Sequence, residues 1–461
     1  MRHYFKFGAA SNLLAATVFV LAPLPLGSVD LAWVCIWTSI LAVSLLAARI
    51  DRTCTADLAV LAPIFVSIVV IAVIVCLQMW PNGLAGLSDP AWRNAREQLG
   101  ADVPDRVSLT SSVPWLNFGY YLLFALGFSR AYLLATDARQ AQRLLHLLAY
   151  SGLCYALYGI FAQVFLPETL LWRQKEFYLQ FATGTFVNRN TAATFWGSCG
   201  LIFLIQFVRA VLHATDDPRS ERIKWLDRPG TQAACCAVCL IAVGMTGSRA
   251  GILVTFLSMF FAVILYLVPL QLGRESFWNF VRTAFVVGVV GLALVGAAAM
   301  SRISEIGLVD AQRLEVYTTA LKMIRGHELL GFGLGNFEAA FPLYRPAALG
   351  SQGIWDRVHS IPIELAIDLG IPAALCIFGI AAFYFVRLVR GALARKRDRH
   401  IPVVGAGVFM LGMLHSCVDF SLQIPGYGIL FASIVGCGLA QSISRSARPA
   451  KRQEQQEQIE F

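Results

Sequence analysis

Long apolar runs recur along most of this chain and constrain its fold more than any other feature. A segment of about 18 or more mostly apolar residues can cross the hydrocarbon core of a bilayer as a helix. The 461 residues are 57% hydrophobic and only 14% charged, whereas soluble domains carry roughly 25% charged residues. This composition excludes a disordered chain, a disulfide mini-domain and an ordinary soluble enzyme. It predicts an all-α polytopic membrane protein, with residues 1–461 forming a single integral membrane domain.

About twelve segments meet this length criterion, which predicts about twelve transmembrane helices. The segments lie near 9–27, 30–48, 58–79, 115–135, 145–166, 190–212, 232–247, 250–271, 283–300, 360–386, 402–418 and 427–443. Only a short Gly-Ser-Arg break separates the seventh segment from the eighth. This pair therefore leaves the count open.

Basic residues cluster in the short connectors at every second boundary. They include Arg2, Lys6, Arg139, Arg143 and Arg387–Arg399. By the positive-inside rule these connectors are cytoplasmic, so we expect both termini, including a tail at 444–461, to be cytoplasmic. The net charge of +9 is then explained by basic residues that set the orientation of the spans in the membrane. Nucleic acid is therefore not an expected partner. The longer connectors fall on the periplasmic side. They are 80–114, 167–189 and 301–359, the last between spans nine and ten.

The eleven cysteines lie in or at the edges of the apolar segments. A disulfide framework would place them in the outer loops, where the compartment is oxidising. Cys236 and Cys239 have the spacing of a redox or zinc pair, but their surroundings are uniformly apolar, so packing is the favoured interpretation. We therefore do not expect Cys236 and Cys239 to form a redox or zinc site.

The largest outer loop, 301–359, contains a predicted helix at about 310–325, with Asp310 as its N-cap. Arg313 lies in the first turn of this helix. The stretch Gly331–Asn336 has three alternating glycines, but a helix precedes it and no lysine follows. A tight structured turn is therefore favoured over a phosphate-binding loop.

Arginines occur where predicted spans meet the outer side. An arginine at such a depth is costly unless it is paired or binds an anion, and its planar guanidinium suits diphosphate oxygens. A single arginine could equally anchor lipid headgroups. Arg189, Arg249 and Arg313, however, share one side of the membrane with His359. This combination favours an anionic substrate.

Several other polar residues admit both structural and functional interpretations. Glu364 and Asp368, spaced four apart in span ten, could face a polar cavity or only cap the span. His415, Asp419 and Gln423 are each four apart and predict one helical stripe, for which a hydrogen-bonded contact between helices is favoured. The candidates for supporting roles in a site are Glu364, Asp368, Tyr344, Arg345, His415 and Asp419.

Four ordered blocks within about residues 180–430 carry a family resemblance. They are Gly184–Asn190, Thr246–Gly251, Arg313 with Gly331–Asn336, and His359 with Glu364–Gly370, supported by His415–Asp419. Together with the span plan, they resemble the O-antigen ligase/O-antigen polymerase superfamily. No single block is specific, so the resemblance depends on their order and their common side. The N-terminal 170 residues carry no recognised motif.

The resemblance implies a GT-C-like membrane glycosyltransferase at the periplasmic face of the bacterial inner membrane, in lipopolysaccharide or exopolysaccharide biosynthesis. The donor would be a glycan on undecaprenyl diphosphate, and no nucleotide sugar, metal or cofactor would be required. The acceptor would be lipid A-core or a second lipid-linked glycan, and chain-length or export proteins are further candidate partners.

The family's arginines correspond to Arg189, Arg249 and Arg313, which would bind the diphosphate. Its loop histidine corresponds to His359, which would act as the catalytic base of a metal-independent, inverting transfer. Ser360 stands where many members have asparagine, which leaves the neighbouring polar role open.

Two other classes of function remain open, a transporter or flippase of lipid-linked sugars and a structural assembly partner. Transporters commonly have internal repeats and broken helices near the midplane. The two halves of this chain show no convincing repeat, and its functional polar residues cluster at the outer face. An enzyme is therefore favoured. Ligase and polymerase stay unresolved, because both need the same diphosphate clamp.

Overall fold

The computed structural model describes residues 2–48, 55–82, 84, 86–100, 102–216, 225–270, 282, 311–350 and 353–443. In these residues the chain is mostly helical, which confirms the all-α class. The longer helices are α1 (Arg2–Leu21), α2 (Leu31–Leu46), α3 (Thr55–Met79), α4 (Pro90–Leu99), α5 (Val113–Leu134), α6 (Ala138–Phe165), α7 (Arg189–Asp216), α8 (Pro229–Met245), α9 (Arg249–Leu267), α10 (Ala311–Ile324), α11 (Phe337–Ala340), α12 (Ile361–Leu369), α13 (Ile371–Ala394), α14 (His400–Ser416) and α15 (Pro425–Ser442). A two-stranded antiparallel hairpin, β1 (Thr169–Leu170) and β2 (Arg173–Gln174), follows α6.

Five of the described helical segments are long and apolar enough to cross a membrane. They are Thr55–Met79, Ala138–Phe165, Arg189–Leu212, Arg249–Leu270 and Ile371–Ala394. Apart from 360–386, each predicted span within the described residues overlaps one α-helix, and α8 and α9 are separate helices. The predicted span 283–300 and the tail 444–461 lie outside the described residues. The total of twelve spans and the cytoplasmic termini stay predictions.

The bundle has a buried centre and an apolar periphery. Every residue of α15 from Pro425 to Gln441 is buried, and α15 packs against α5 and α14. By contrast, only 22% of the most apolar window of α3 is buried, and Phe65 on this helix is 69% exposed. An all-round apolar helix with exposed side chains suits contact with lipid tails.

The segment predicted as a single span at 360–386 is two helices, and that prediction was wrong. The chain breaks at Gly370, whose φ is +82°, a conformation that glycine adopts at little cost. A Cβ at this position would overlap the carbonyl oxygen of Leu329. Glu364 and Asp368 therefore lie on the short helix α12, ahead of the long apolar helix α13.

The connectors 80–114 and 311–350 pack together into one layer, here called the cap. The Asn336 amide donates to the Ser108 hydroxyl (2.7 Å), and the Thr110 hydroxyl donates to the Asn336 side-chain carbonyl (2.7 Å). Val316, Phe332 and other buried apolar residues of 316–367 form a hydrophobic core of their own. The cap therefore has a packed core of its own, and α10 contributes side chains to that core.

Candidate functional site

Three segments that are distant in the sequence meet at the N-termini of α7 and α9. The Ser248 hydroxyl donates a hydrogen bond to the side-chain carbonyl of Asn190 (2.7 Å). The amide of Asn190 in turn donates to the carboxylate of Asp419. All three residues are buried, and buried polar groups are stable when they are hydrogen-bonded. This chain of contacts fixes both helix N-termini against the segment after α14.

Arg189 and Arg249 are the first residues of these two helices. The guanidinium of Arg189 lies over the rings of Phe181 (4.5 Å) and Tyr178 (5.2 Å), an arrangement in which the ring faces attract the cation. Helix N-termini carry partial positive charge and exposed N–H groups. The locality therefore concentrates positive charge and is suited to an anion.

Helix α10 connects Arg313 to the same locality. The Arg313 guanidinium donates to the backbone carbonyl of Val418 (3.1 Å), next to Asp419. One turn along the helix, the Tyr317 hydroxyl donates to the backbone carbonyl of His359 (2.9 Å). The predicted helix at 310–325 is confirmed as α10, while Asp310 lies outside the described residues.

His359 lies on the other side of this junction. Its imidazole is 4.9 Å from the ring of Phe420 and 6.0 Å from that of Trp355, measured between centroids. Phe420 directly follows Asp419, so the histidine lies beside the segment that joins the arginine-bearing helices. Its backbone has φ +60°, which is uncommon for a residue with a side chain. The structure thus brings the loci of Arg189, Arg249, Arg313 and His359 into one connected region.

The pKa of Tyr178 depends on the charges of this region. Burial raises the pKa of its phenol above the ordinary value, the charges of Arg189 and Arg313 oppose the rise, and Asp419 adds to it. Charges act on a pKa strongly only at short range. The charges of two arginines from separate elements therefore both lower the pKa of this phenol.

Glu364 braces the segment that carries His359. Its carboxylate accepts hydrogen bonds from the Arg357 guanidinium (3.2 Å), the Val358 backbone N–H (3.0 Å) and the Gln423 amide (2.9 Å). Burial alone lowers the pKa of Arg357, but the carboxylates of Glu364 and Asp368 raise it, and the net pKa lies above its ordinary value. Arg357 is therefore a fixed cation at this position.

An apolar cavity of 850 Å³ lies between α3, α5, α13, α14 and α15. Its walls include Ile68, Phe128 and Ile377. Its polar lining includes Asn117, Arg357, Asp368 and Gln423. Two of these, Arg357 and Gln423, donate hydrogen bonds to the carboxylate of Glu364, which also bonds the segment that carries His359. The cavity therefore approaches the candidate site at a polar end and is suited to an apolar chain along its length.

Residues 234–378 match the family model described as O-antigen ligase. The predicted family resemblance is confirmed. No match was found among curated proteins. The match to the O-antigen ligase model and the apolar helices of the chain together support a bacterial membrane protein. They also support a role in membrane glycosyl transfer during O-antigen or polysaccharide assembly.

The O-antigen ligase match covers Arg249, Arg313 and His359 but neither Arg189 nor Asp419. The contacts of Ser248, described above, join the matched segment to these two residues. The candidate site therefore extends beyond the matched segment.

Asp368 holds the glycine-rich turn. Its carboxylate accepts from the Gly335 backbone N–H (2.9 Å). The Gln78 side chain accepts from the Leu334 N–H (3.1 Å) and donates to the Asp368 carbonyl (2.8 Å). Because these N–H groups already have acceptors in the protein, the turn serves to dock the cap onto α12. Gly331 has φ +67° and, like the other two glycines, fits a tight turn.

Tyr344 and Arg345 belong to the cap. The Tyr344 ring meets the Phe332 ring edge-on at 5.8 Å between centroids. The Arg345 guanidinium donates to the backbone carbonyls of Gly353 (2.9 Å) and Leu349 (3.3 Å). These contacts join Arg345 to Leu349 and to Gly353, and they do not involve the residues around His359.

The continuous stripe predicted for His415, Asp419 and Gln423 was wrong. Helix α14 ends at Ser416, and the Asp419 carboxylate accepts from the N–H of the following residue (2.6 Å), a local contact that competes with helix. The three side chains consequently do not share one helix face, although the Ser421 hydroxyl lies near both His415 and Asp419 (3.4 Å). His415 lies 3.3 Å from the Ser421 hydroxyl, Asp419 binds Asn190, and Gln423 binds Glu364.

Sequence reasoning missed several residues that organise the region. Asn190 and Ser248 lay inside the recognised blocks but received no role, although a short polar side chain at a helix N-terminus is a capping signal. Arg357, two residues before His359, and Gln78, an isolated amide in an apolar span, were not singled out. Among the described residues, no group of three or more His, Cys, Asp or Glu side chains could hold a metal ion.

Proposed function

We propose that the protein transfers a glycan from undecaprenyl diphosphate to an acceptor hydroxyl at the periplasmic face of the bacterial inner membrane. The reaction is metal-independent and inverts the anomeric centre. The observation that carries this proposal is the Ser248–Asn190–Asp419 chain of contacts. It joins the helix N-termini that bear Arg189 and Arg249 to the segment contacted by Arg313 and His359.

The arginines stabilise the leaving group. As the bond between the anomeric carbon and the diphosphate oxygen breaks, its electron pair leaves with the diphosphate. Arg189 and Arg249 bind this developing charge, and Arg313 completes the clamp. Preorganised donors in a water-poor site are worth about 10²–10³ in rate each, because they need no reorganisation during the reaction.

His359 takes the proton of the acceptor. The acceptor oxygen attacks the anomeric carbon from the face opposite the diphosphate, and its proton passes to the imidazole. An unperturbed imidazole has a pKa of about 6.5 and can accept a proton at neutral pH. Alignment of the two substrates supplies much of the acceleration.

The apolar cavity supports a lipid-linked substrate. It offers a nonpolar volume of 850 Å³ beside the segment that carries His359, and burying hydrocarbon there is favourable by about 0.8 kcal/mol per methylene. A nucleotide sugar carries no such chain. The acceptor is lipid A-core or a second lipid-linked glycan.

A purified assay tests the proposal. The full chain in detergent is supplied with a lipid-linked glycan and an acceptor, and glycan product is measured for the wild type, His359→Ala and Arg249→Lys. We expect product from the wild type and a strong loss in both variants. Product formed without a membrane gradient excludes transport as the primary activity. Full activity in both variants would show that the proposed site is wrong.

Deletion of the gene separates a ligase from a polymerase. A missing polymerase leaves short lipid-linked repeats, whereas a missing ligase leaves full-length chains that are not attached to lipid A-core. Surface and lipid-linked glycans are analysed in the deletion strain, in the same strain with the wild-type gene restored, and in the strain with the His359→Ala gene.

A further inference from the structure

The carboxylate of Glu364 is the meeting point of two segments that flank His359. The residue is 1% exposed. One of its oxygens accepts from the Val358 N–H, and the other accepts from Arg357 and from Gln423. Val358 immediately precedes His359, and Gln423 belongs to the segment that includes Phe420.

The backbone of His359 needs support from its surroundings. At φ +60° the residue is in the left-handed region, which costs about 1–2 kcal/mol for a residue with a Cβ. Such strain persists only where neighbouring contacts impose it, and it is concentrated at functional sites. The N–H bonded to Glu364 is one residue away, so this contact restrains the backbone that carries the imidazole.

The ring of His359 is restrained from the other side. It lies 4.9 Å from the Phe420 ring. The short helical turn Ser421–Gln423 follows Phe420, and the amide of Gln423 returns to Glu364 at 2.9 Å. One carboxylate therefore links the segment that bears the imidazole to the segment against which the imidazole packs.

From this geometry we propose that Glu364 is a positioning residue that fixes the imidazole of His359 for proton transfer. The inference rests on the proposed function, in which His359 is the base. Glu364 acts through Val358, Arg357 and Gln423 and does not touch the substrate. Its effect therefore falls on the rate of the chemical step and leaves binding of the lipid-linked donor unaltered.

The conservative variants follow from the three donors. In Glu364→Gln an N–H₂ group replaces one acceptor oxygen, so at least one of the donors loses its partner. Glu364→Asp keeps the charge and both oxygens on a shorter side chain. Since a displacement of 1 Å can cost about 10²-fold in rate, we expect kcat to fall about 100-fold in Glu364→Gln and to recover in part in Glu364→Asp. The KM for the donor stays at the wild-type value.

Asp57→Asn is a matched control. Asp57 lies on α3, is as buried as Glu364, and accepts a hydrogen bond from the Tyr132 hydroxyl (2.8 Å); neither residue lines the apolar cavity. Its amide oxygen can still accept that hydrogen bond, so we expect the wild-type kcat.

Gln423→Leu is the second test variant. It removes the hydrogen bond from Gln423 to Glu364 and leaves the contacts of Glu364 with Arg357 and Val358 in place. We expect a smaller fall in kcat for it.

The experiment measures kcat, KM and Tm for these variants and for His359→Ala, using the full chain in detergent with the lipid-linked glycan. A fall in kcat at constant KM in Glu364→Gln, partly rescued by Asp, supports the positioning role. Wild-type kcat in Glu364→Gln would overturn it, and so would a fall matched by Asp57→Asn. If Glu364→Gln does not fold, Gln423→Leu decides by its kcat against the same control. Wild-type activity in His359→Ala would instead contradict the proposed function.

Discussion

The hydroxyl of Ser248 donates a 2.7 Å hydrogen bond to the side-chain carbonyl of Asn190 and so joins the N-terminus of α9 to that of α7. The same hydroxyl accepts from the Gly251 N–H (3.2 Å) as the N-cap of α9. Each residue is next to one of the candidate clamp arginines. The spacing of Arg189 and Arg249 therefore depends on a contact between two small neutral side chains.

Removal of this hydroxyl should weaken both the fold and the activity. In Ser248→Ala the lost cap costs about 1 kcal/mol, and the unpaired Asn190 carbonyl costs about 1–3 kcal/mol more. We expect a lower Tm in detergent together with a reduced transfer rate. Ser198→Ala, which removes a buried hydroxyl bonded within α7 to the Thr194 carbonyl, should retain the rate. Equal rates in the two variants would contradict the link between this contact and the clamp.

Replacement of the arginines by lysine should reduce transfer while the fold is kept. Lysine preserves the charge but lacks the planar fork that binds two oxygens of a diphosphate. We expect Arg189→Lys, Arg249→Lys and Arg313→Lys each to lower kcat by about 10²–10³. Arg325→Lys is the control, since Arg325 is exposed one residue beyond the end of α10. A similar loss in Arg325→Lys would assign the effect to the helix and not to the clamp.

Substitution of His359 should separate stability from activity. Glycine adopts φ +60° at little cost, whereas alanine keeps the strain of a Cβ, worth about 1–2 kcal/mol. We expect His359→Gly to have a higher Tm than His359→Ala, although neither variant transfers glycan. Thermal unfolding and product formation are measured on the same samples. A Tm for the glycine variant equal to or below that of the alanine variant would argue against strain at this position.

Long-range contacts explain what the sequence could not reveal. The apolar helices follow from local composition, and α10 follows from a helical spacing that needs no partner. Glu364 and Gln423, by contrast, are separated by 59 residues and meet only through folding. The break at Gly370 has a local signal, a glycine at φ +82° followed by Pro372 in the first turn of the next helix. The close approach of the Leu329 carbonyl to Gly370, by contrast, is not visible in any local pattern. The stripe through Asp419 failed because helix α14 ends at Ser416, three residues before Asp419.

The recognised blocks were informative for a related reason. Each block contained a residue that bonds to another block, such as Asn190 with Ser248. The sequence therefore indicated which segments matter and on which helix ends they lie. It did not indicate that the neutral side chains of Asn190 and Ser248 connect these segments. Asn and Ser are also common at helix N-termini as simple caps, so their presence there does not predict a contact between helices.

Gly331 should tolerate alanine far less well than Gly326. Both residues have positive φ, +67° and +88°, so both substitutions incur the same backbone strain. A Cβ at Gly331 would also overlap the Ile367 carbonyl oxygen, whereas a Cβ at Gly326 meets nothing within 4 Å. We expect Gly331→Ala to lower Tm more and to detach the cap from α12, seen as faster proteolysis within 311–350. Equal Tm values would mean that the turn can move away from α12 at no cost.

Lys175 should make stability depend on pH in the alkaline range. Its ammonium donates to the Gln163 side chain (3.1 Å) and to the Phe181 carbonyl (2.6 Å), and the residue is 6% exposed. Burial lowers the pKa of Lys175 from 10.5 to about 8. Between these values the unfolded chain binds more protons than the folded one, so the free energy of unfolding rises with pH.

Lys175→Met removes this titration. The free energy of unfolding of the wild type, relative to Lys175→Met, should therefore increase from about pH 8 to about pH 10.5, the interval between the folded and unfolded pKa values. Denaturation in detergent at pH 7, 8, 9 and 10 measures the difference. Lys322→Met, at an exposed position on α10, controls for the loss of a lysine. A constant difference over this range would show that Lys175 titrates at its ordinary pKa, and that its contact with Phe181, the residue beneath Arg189, carries no cost of burial.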